Sequence, residues 1–131
     1  MKEKALVSAC SHGRTCRWHG RKAYKSKEVR ALEEIYELIP VCPEMLGGLP
    51  CPRPPVKTKK GHIFITDKED RTFVGKEITS AFMFGAIKAL KIARRHSVKK
   101  AFFVKNSPSC ARGGIAGKLL RENDIEVLPI W

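Results

Sequence analysis

An α/β fold with a mostly parallel sheet is predicted by three observations. Short apolar runs and amphipathic stretches alternate along the 131-residue chain, the pattern of strand–helix–strand units. The runs at residues 5–9 and 101–104 are short and, Ser8 aside, apolar, as buried strands are. Residues 61–73 carry two β-rich segments about a charged turn, the mark of a hairpin. Together they describe a Rossmann-like domain with helices flanking the sheet and a β-hairpin insertion. The length suits one domain, residues 1–131, and is short for two.

Each element has its own signal. Residues 5–9 form the first strand, and a polar, glycine-punctuated loop follows from Ser11 to Gly20. Ser26 is a suitable N-cap for a helix over residues 26–38, with Val29, Leu32, Ile35 or Tyr36, and Ile39 at helical spacing. Residues 39–42 make a second short strand. Residues 43–55 hold five prolines, which excludes a regular helix or central strand there. Because that stretch starts at a strand-end cysteine, it reads as an ordered site loop instead of a spacer. The hairpin pairs residues 62–66 with 71–74 about a turn at 67–70. Thr79 caps the next helix, whose buried face carries Ala81, Phe82, Gly85, Ala89, Ile92 and Ala93. Residues 101–104 are a strand, Gly113 and Gly114 precede a short helix to about Arg121, and residues 125–131 form the last strand.

Composition narrows the classes of function. The chain is 43% hydrophobic, and no apolar run approaches the roughly 20 residues of a membrane span. Residues 1–4 lead straight into the first strand without the apolar region of a signal peptide. A cytoplasmic location is expected. There are 26 Lys and Arg against 13 Asp and Glu, a net charge of +13. Such an excess suits an anionic partner such as RNA or a nucleotide. It equally suits a solvated lysine-rich surface, and the scatter of the basic residues favours that reading. The densest stretch, residues 14–27, lies close to Cys10.

The five cysteines are an odd number and none lies in a CxxC pair. In a cytosolic chain they suit metal binding or catalysis better than disulfides. Any site must therefore be assembled by the fold. Cys10, Cys42 and Cys110 each follow an apolar, strand-like run. Strand carboxyl ends share one edge of a parallel sheet, where ligands bind. Three convergent thiolates suit a metal or iron–sulfur site with one open position. The plainer alternative is three buried thiols acting as small hydrophobes. Glu44 lies two residues beyond Cys42 and is placed to move protons in the same cleft, unless it is a surface glutamate. Ser107 and Ser109 bracket Pro108, where a hydroxyl can relay a proton or simply serve a turn. Cys16 and Cys51 lie in polar loops; one could serve as a fourth ligand or a redox partner, but both are expected to be unligated. The four histidines show no metal-ligand spacing, and the glycines match no phosphate-loop pattern.

Several motifs in order along the chain resemble one family. They are Val7-Ser8-Ala9-Cys10, Cys16-Arg17-Trp18, the run from Val41-Cys42-Pro43-Glu44 through Gly47-Gly48-Leu49-Pro50, Pro52-Arg53-Pro54-Pro55, and Ser107-Pro108-Ser109-Cys110, supported by Thr79-Ser80-Ala81-Phe82 with Gly85-Ala86. The chain is similar to the thiouracil desulfidases, small bacterial and archaeal proteins. The resemblance implies an oxygen-sensitive [4Fe-4S] cluster held by Cys10, Cys42 and Cys110, and removal of sulfur from a thiolated nucleobase or nucleoside. It implies that the iron without cysteine is a Lewis acid for the substrate sulfur and that water attacks the thiocarbonyl carbon. Glu44 would be the general acid/base, and Ser107 would assist in positioning or proton transfer. The chain departs from the family pattern after Cys110, where Ala111 stands in place of glycine and residues 111–116 run almost directly into the last helix. The shorter segment implies a different or larger thio-substrate, or a cluster kept without the activity. Two other classes fit the residues: a non-enzymatic iron–sulfur or zinc module with a sensor or RNA-binding role, and a sulfurtransferase with one nucleophilic cysteine.

Overall fold

A computed structural model describes residues 2–105 and 107–130. Trp131, assigned above to the last strand, and Asn106, before the second serine-containing motif, lie outside the described residues. Four parallel strands form the main sheet in the order β2-β1-β5-β6: β1 (Glu3–Ser8), β2 (Tyr36–Val41), β5 (Lys100–Phe103) and β6 (Glu126–Pro129). The α/β fold expected from the sequence is the fold observed.

Strand β1 is central, and Ala5, Leu6, Val7 and Ser8 are all buried. A central parallel strand is covered on both faces, so its sequence shows no polar alternation. Leu6, Ala101, Phe103 and Val127 point to one face, where they meet Leu90 and Ala93 of α3 (Thr79–Arg95) and Leu120 of α4 (Ile115–Glu122). Ala5, Val7 and Phe102 point to the other, against Val29 and Leu32 of α1 (Lys27–Glu33).

Helix α1 is shorter than its periodicity suggests. Ser26 caps it, accepting from the Val29 N–H at 3.2 Å, but it ends at Glu33. Residues 36–41 pair with β1 throughout, and β2 starts three residues before the expected strand. The apolar set at 35, 36, 38 and 39 fits both periods, and a free edge on β1 decides for the strand.

The hairpin is also shifted. Strand β3 (Val56–Lys59) pairs antiparallel with β4 (His62–Ile65), and residues 71–74 are not a strand. The connection is Lys60-Gly61, both with positive φ (51° and 81°), as a tight two-residue hairpin requires. The charged turn at 67–70 does form, with Asp67 Oδ1 accepting from the N–H groups of Glu69 and Asp70. It leads into a return segment in which Gly75 N–H donates to the Ile65 carbonyl.

The proline-rich stretch contains one helical turn, α2 (Pro43–Leu46), contrary to its expected irregularity. Pro43 occupies the first turn, where a missing N–H costs nothing. Thr79 is likewise the first helical residue and not the cap, which is Ile78. Its hydroxyl instead accepts from Ile63 N–H at 2.9 Å, tying α3 to the hairpin. No helix among the described residues is long and apolar enough to cross a membrane.

Candidate active site

The carboxyl ends of β1, β2 and β5 open onto one cavity of about 410 Å³. Its lining includes Cys10, Cys42 and Cys110, together with Glu44, Ser107 and Ser109. Each arrives by a different local device. Cys10 sits in a turn held by Ser11 and His12 N–H donating to the Ser8 carbonyl, and by Arg14 N–H donating to that of Ala9. Cys42 is the N-cap residue of α2, so the same turn carries Glu44. Cys110 ends a loop pinned by Ser107 Oγ, which accepts from the N–H groups of Ser109 and Cys110, each at 3.2 Å.

The structure brings a fourth thiol to these three. Cys16 is buried and lines the cavity, and its carbonyl oxygen accepts from Cys42 Sγ at 3.8 Å. Its polar surroundings in sequence make it the weaker candidate, and it reaches the cavity because its loop returns to the strand ends. The other cysteine placed with it, Cys51, is not among the cavity-lining residues, and its sulfur lies 3.2 Å from the Arg17 carbonyl oxygen.

The thiols differ in acidity. The neighbouring Cys16 thiol is the largest influence pushing the Cys42 thiol down to about 6, helped by Met45 N–H and Arg53 and opposed by burial. Cys10 is lowered as well, chiefly by Cys16 and then, against burial, by Arg17. Cys16 is pushed up by the neighbouring Cys10 and Cys42 thiols and by burial. Burial pushes Cys110 up to about 11. Of these thiols, Cys42 is the one most favoured toward the thiolate, the form that binds soft metals. Among the described residues, no group of three or more His, Cys, Asp and Glu side chains is arranged to hold a metal ion.

Glu44 is fixed from both sides. Its Oε1 pairs with Arg53 Nε at 3.1 Å, and its Oε2 accepts from Ser109 Oγ at 3.1 Å. The side chains are only 14% and 4% exposed. Arg53 also donates to the Pro50 carbonyl, and its N–H donates to the Trp18 carbonyl. Ser107 Oγ lies 3.1 Å from Ser109 Oγ. A hydroxyl chain therefore runs from Ser107 through Ser109 to the carboxylate. Ser109 is the direct neighbour of Glu44, and Ser107 is one step further.

The sequence offers Ser107 and Ser109 alike as relay hydroxyls, and it is Ser109 that reaches Glu44 directly; for Arg53 the sequence suggests no role of its own. An arginine among prolines looks like a surface residue, and only burial distinguishes it. Arg53→Ala is expected to destabilise the fold by about 3–5 kcal/mol, since it leaves the buried Glu44 carboxylate uncompensated. Chemical denaturation measures this directly, and an unchanged midpoint would show that the pair contributes nothing.

Fold and site together define a class: an α/β protein with a cysteine-lined cleft at the carboxyl edge of a parallel sheet, flanked by a fixed carboxylate and two serines. The sequence model of the 2-thiouracil desulfurase family matches residues 5–127. The chain belongs to this family of enzymes, as its motifs indicated. It is similar to the [4Fe-4S]-dependent thiouracil desulfidase TudS over 98% of its own length and 91% of the TudS chain, at 30% identity and a TM-score of 0.82. It is also 34% identical over 113 residues to YbbK, an uncharacterised protein of Bacillus subtilis (strain 168), covering 84% of this chain and 74% of YbbK.

Proposed function

We propose that this chain binds a [4Fe-4S] cluster through Cys10, Cys42 and Cys110 and hydrolytically removes sulfur from a thiolated nucleobase or nucleoside. The observation that carries the reading is one cavity to which three separate strand ends bring Cys10, Cys42 and Cys110, beside the fixed Glu44. The donor set fits the group. A cubane spreads its cysteines over separate irons, so their sulfurs stand further apart than those around one zinc, with its bonds of ~2.3 Å.

When bound, the cluster supplies a soft Lewis-acid iron for the thiocarbonyl sulfur. The other steps fall to this chain's residues. Glu44 accepts a proton from the attacking water, and the carbon exchanges sulfur for oxygen: thiocarbonyl plus water gives carbonyl plus hydrogen sulfide, with no change of oxidation state. Ser109 and Ser107 pass a proton along the hydroxyl chain or hold the carboxylate in line. Trp18 and Pro108 line the cavity and offer an apolar surface for a planar base.

Single substitutions test the ligand set. Cys10→Ser, Cys42→Ser and Cys110→Ser, reconstituted anaerobically, are each expected to lose most of the about four irons of the wild-type cubane. Cys16→Ser and Cys51→Ser are expected to keep them. Iron and sulfide analysis reads both sets, and a Cys110→Ser protein with full iron content would remove Cys110 from the ligands. Sulfide release from thiouracil by the loaded wild-type protein tests the activity.

A further inference from the structure

Ser8 is a buried hydroxyl at the sheet edge that the proposed reaction leaves unused. It closes β1 and is only 2% exposed. Its Oγ accepts from the Val104 N–H at 3.0 Å and donates to Cys110 Sγ at 3.5 Å. A hydroxyl has one proton, and once Val104 N–H occupies a lone pair that proton is left for the sulfur. The aim is fixed by the backbone on either side. Parallel pairing of β1 with β5 sets Ser8 beside Val104, and the Ser8 carbonyl is itself tied down by the N–H groups of Ser11 and His12 and by Ser11 Oγ. Ser8 therefore joins the turn that carries Cys10 to the sulfur that closes the distant Ser107–Cys110 loop.

We propose that Ser8 is a positioning residue whose hydroxyl holds the Cys110 sulfur and draws electron density from it when the cluster is bound. The inference rests on the cluster reading given above. Hydrogen bonds to the sulfurs are among the factors that set an iron–sulfur centre's potential. A donor favours the more negative, reduced state, so it raises the midpoint potential. The same withdrawal leaves the irons more electron-poor, which suits a centre used as a Lewis acid.

Anaerobic redox titration of the reconstituted wild-type, Ser8→Ala and Ser8→Thr proteins is the test, with iron content measured on each sample. Ser8→Ala is expected to have a more negative midpoint than wild type at equal iron content. Ser8→Thr keeps the donor and is expected to return to the wild-type midpoint. Equal midpoints for Ser8→Ala and wild type would overturn the proposal, and so would a Ser8→Ala protein that loads less iron at an unshifted midpoint. Where Ser8→Ala fails to fold, Ser8→Gly takes its place with the same expectation. A wild-type chain that takes up no iron would overturn the functional reading and this inference together, whereas a loaded wild type with an indifferent Ser8 overturns the inference alone.

Discussion

Glu44→Gln is expected to slow sulfide release from thiouracil by about 10²- to 10⁴-fold, the usual contribution of general acid–base catalysis. Glutamine keeps the size of the side chain, and its carbonyl oxygen can still accept from Arg53 Nε. It can neither take a proton from water nor accept from Ser109 Oγ at the amide nitrogen. The hydroxyl chain from Ser107 through Ser109 then ends on a donor instead of a carboxylate. None of the three proposed ligands is touched, so iron uptake is expected to match wild type. The two readouts separate the roles. A loss of activity at full iron content places proton transfer at Glu44. A Glu44→Gln protein turning over at the wild-type rate would move that role elsewhere.

Gly85→Ala is expected to fail differently, with cluster uptake and activity falling together. Helix α3 crosses α2 with backbone against backbone, and a glycine on each side makes this possible. A Cβ at Gly85 falls on the Pro43 carbonyl oxygen and 3.0 Å from the Gly47 nitrogen, and one at Gly47 falls on the Ala81 carbonyl oxygen. Neither neighbour is the free end of a side chain, so one helix must move. The helix that can move is the single turn carrying Cys42 at its cap and Glu44 in its first turn. Overpacking costs typically ~1–3 kcal/mol, and here the displacement reaches two proposed site residues at once. Thermal melting, iron content and sulfide release are all expected to fall. Gly113→Ala is the control, since Gly113 has open space at its Cβ and no positive φ. A Gly85→Ala protein equal to wild type in all three measurements would show that α2 tolerates displacement.

The fold was legible where burial overrides local preference. The buried run of β1, the apolar β5 and the amphipathic α3 each have one reading, and they fix the parallel sheet. The errors fall where two readings coexist. Residues 35–39 satisfy both the helical and the strand period, and pairing with β1 settles them. Strand β3, with Val56, Lys57, Thr58 and Lys59, is half polar and follows a proline run. From sequence alone the more apolar segment beyond residue 70 is therefore the stronger hairpin partner.

The site shows the same division. Cys10, Cys42 and Cys110 were visible because strand ends are visible and parallel strands share an edge. Glu44 followed from its closeness to Cys42. Cys16 was the weaker candidate because a loop's return path is a tertiary property, and Arg53 was hidden because nothing in a proline run announces a buried cation. Ser8 carried one faint signal, a hydroxyl inside an otherwise apolar strand, which needs a partner when buried. Its partners, Val104 and Cys110, lie 96 and 102 residues away.

The central claim is that the cysteine-lined cavity carries out cluster-dependent desulfuration, and one measurement tests it most directly. The chain is reconstituted with iron and sulfide under anaerobic conditions, freed of unbound ions, and incubated with thiouracil while sulfide and uracil are quantified. The account predicts about four irons per chain and equal amounts of sulfide and uracil, formed in excess of the protein. A natively folded chain that binds no iron, or a fully loaded one that releases no sulfide from thiouracil or from a thiolated nucleoside, would contradict it.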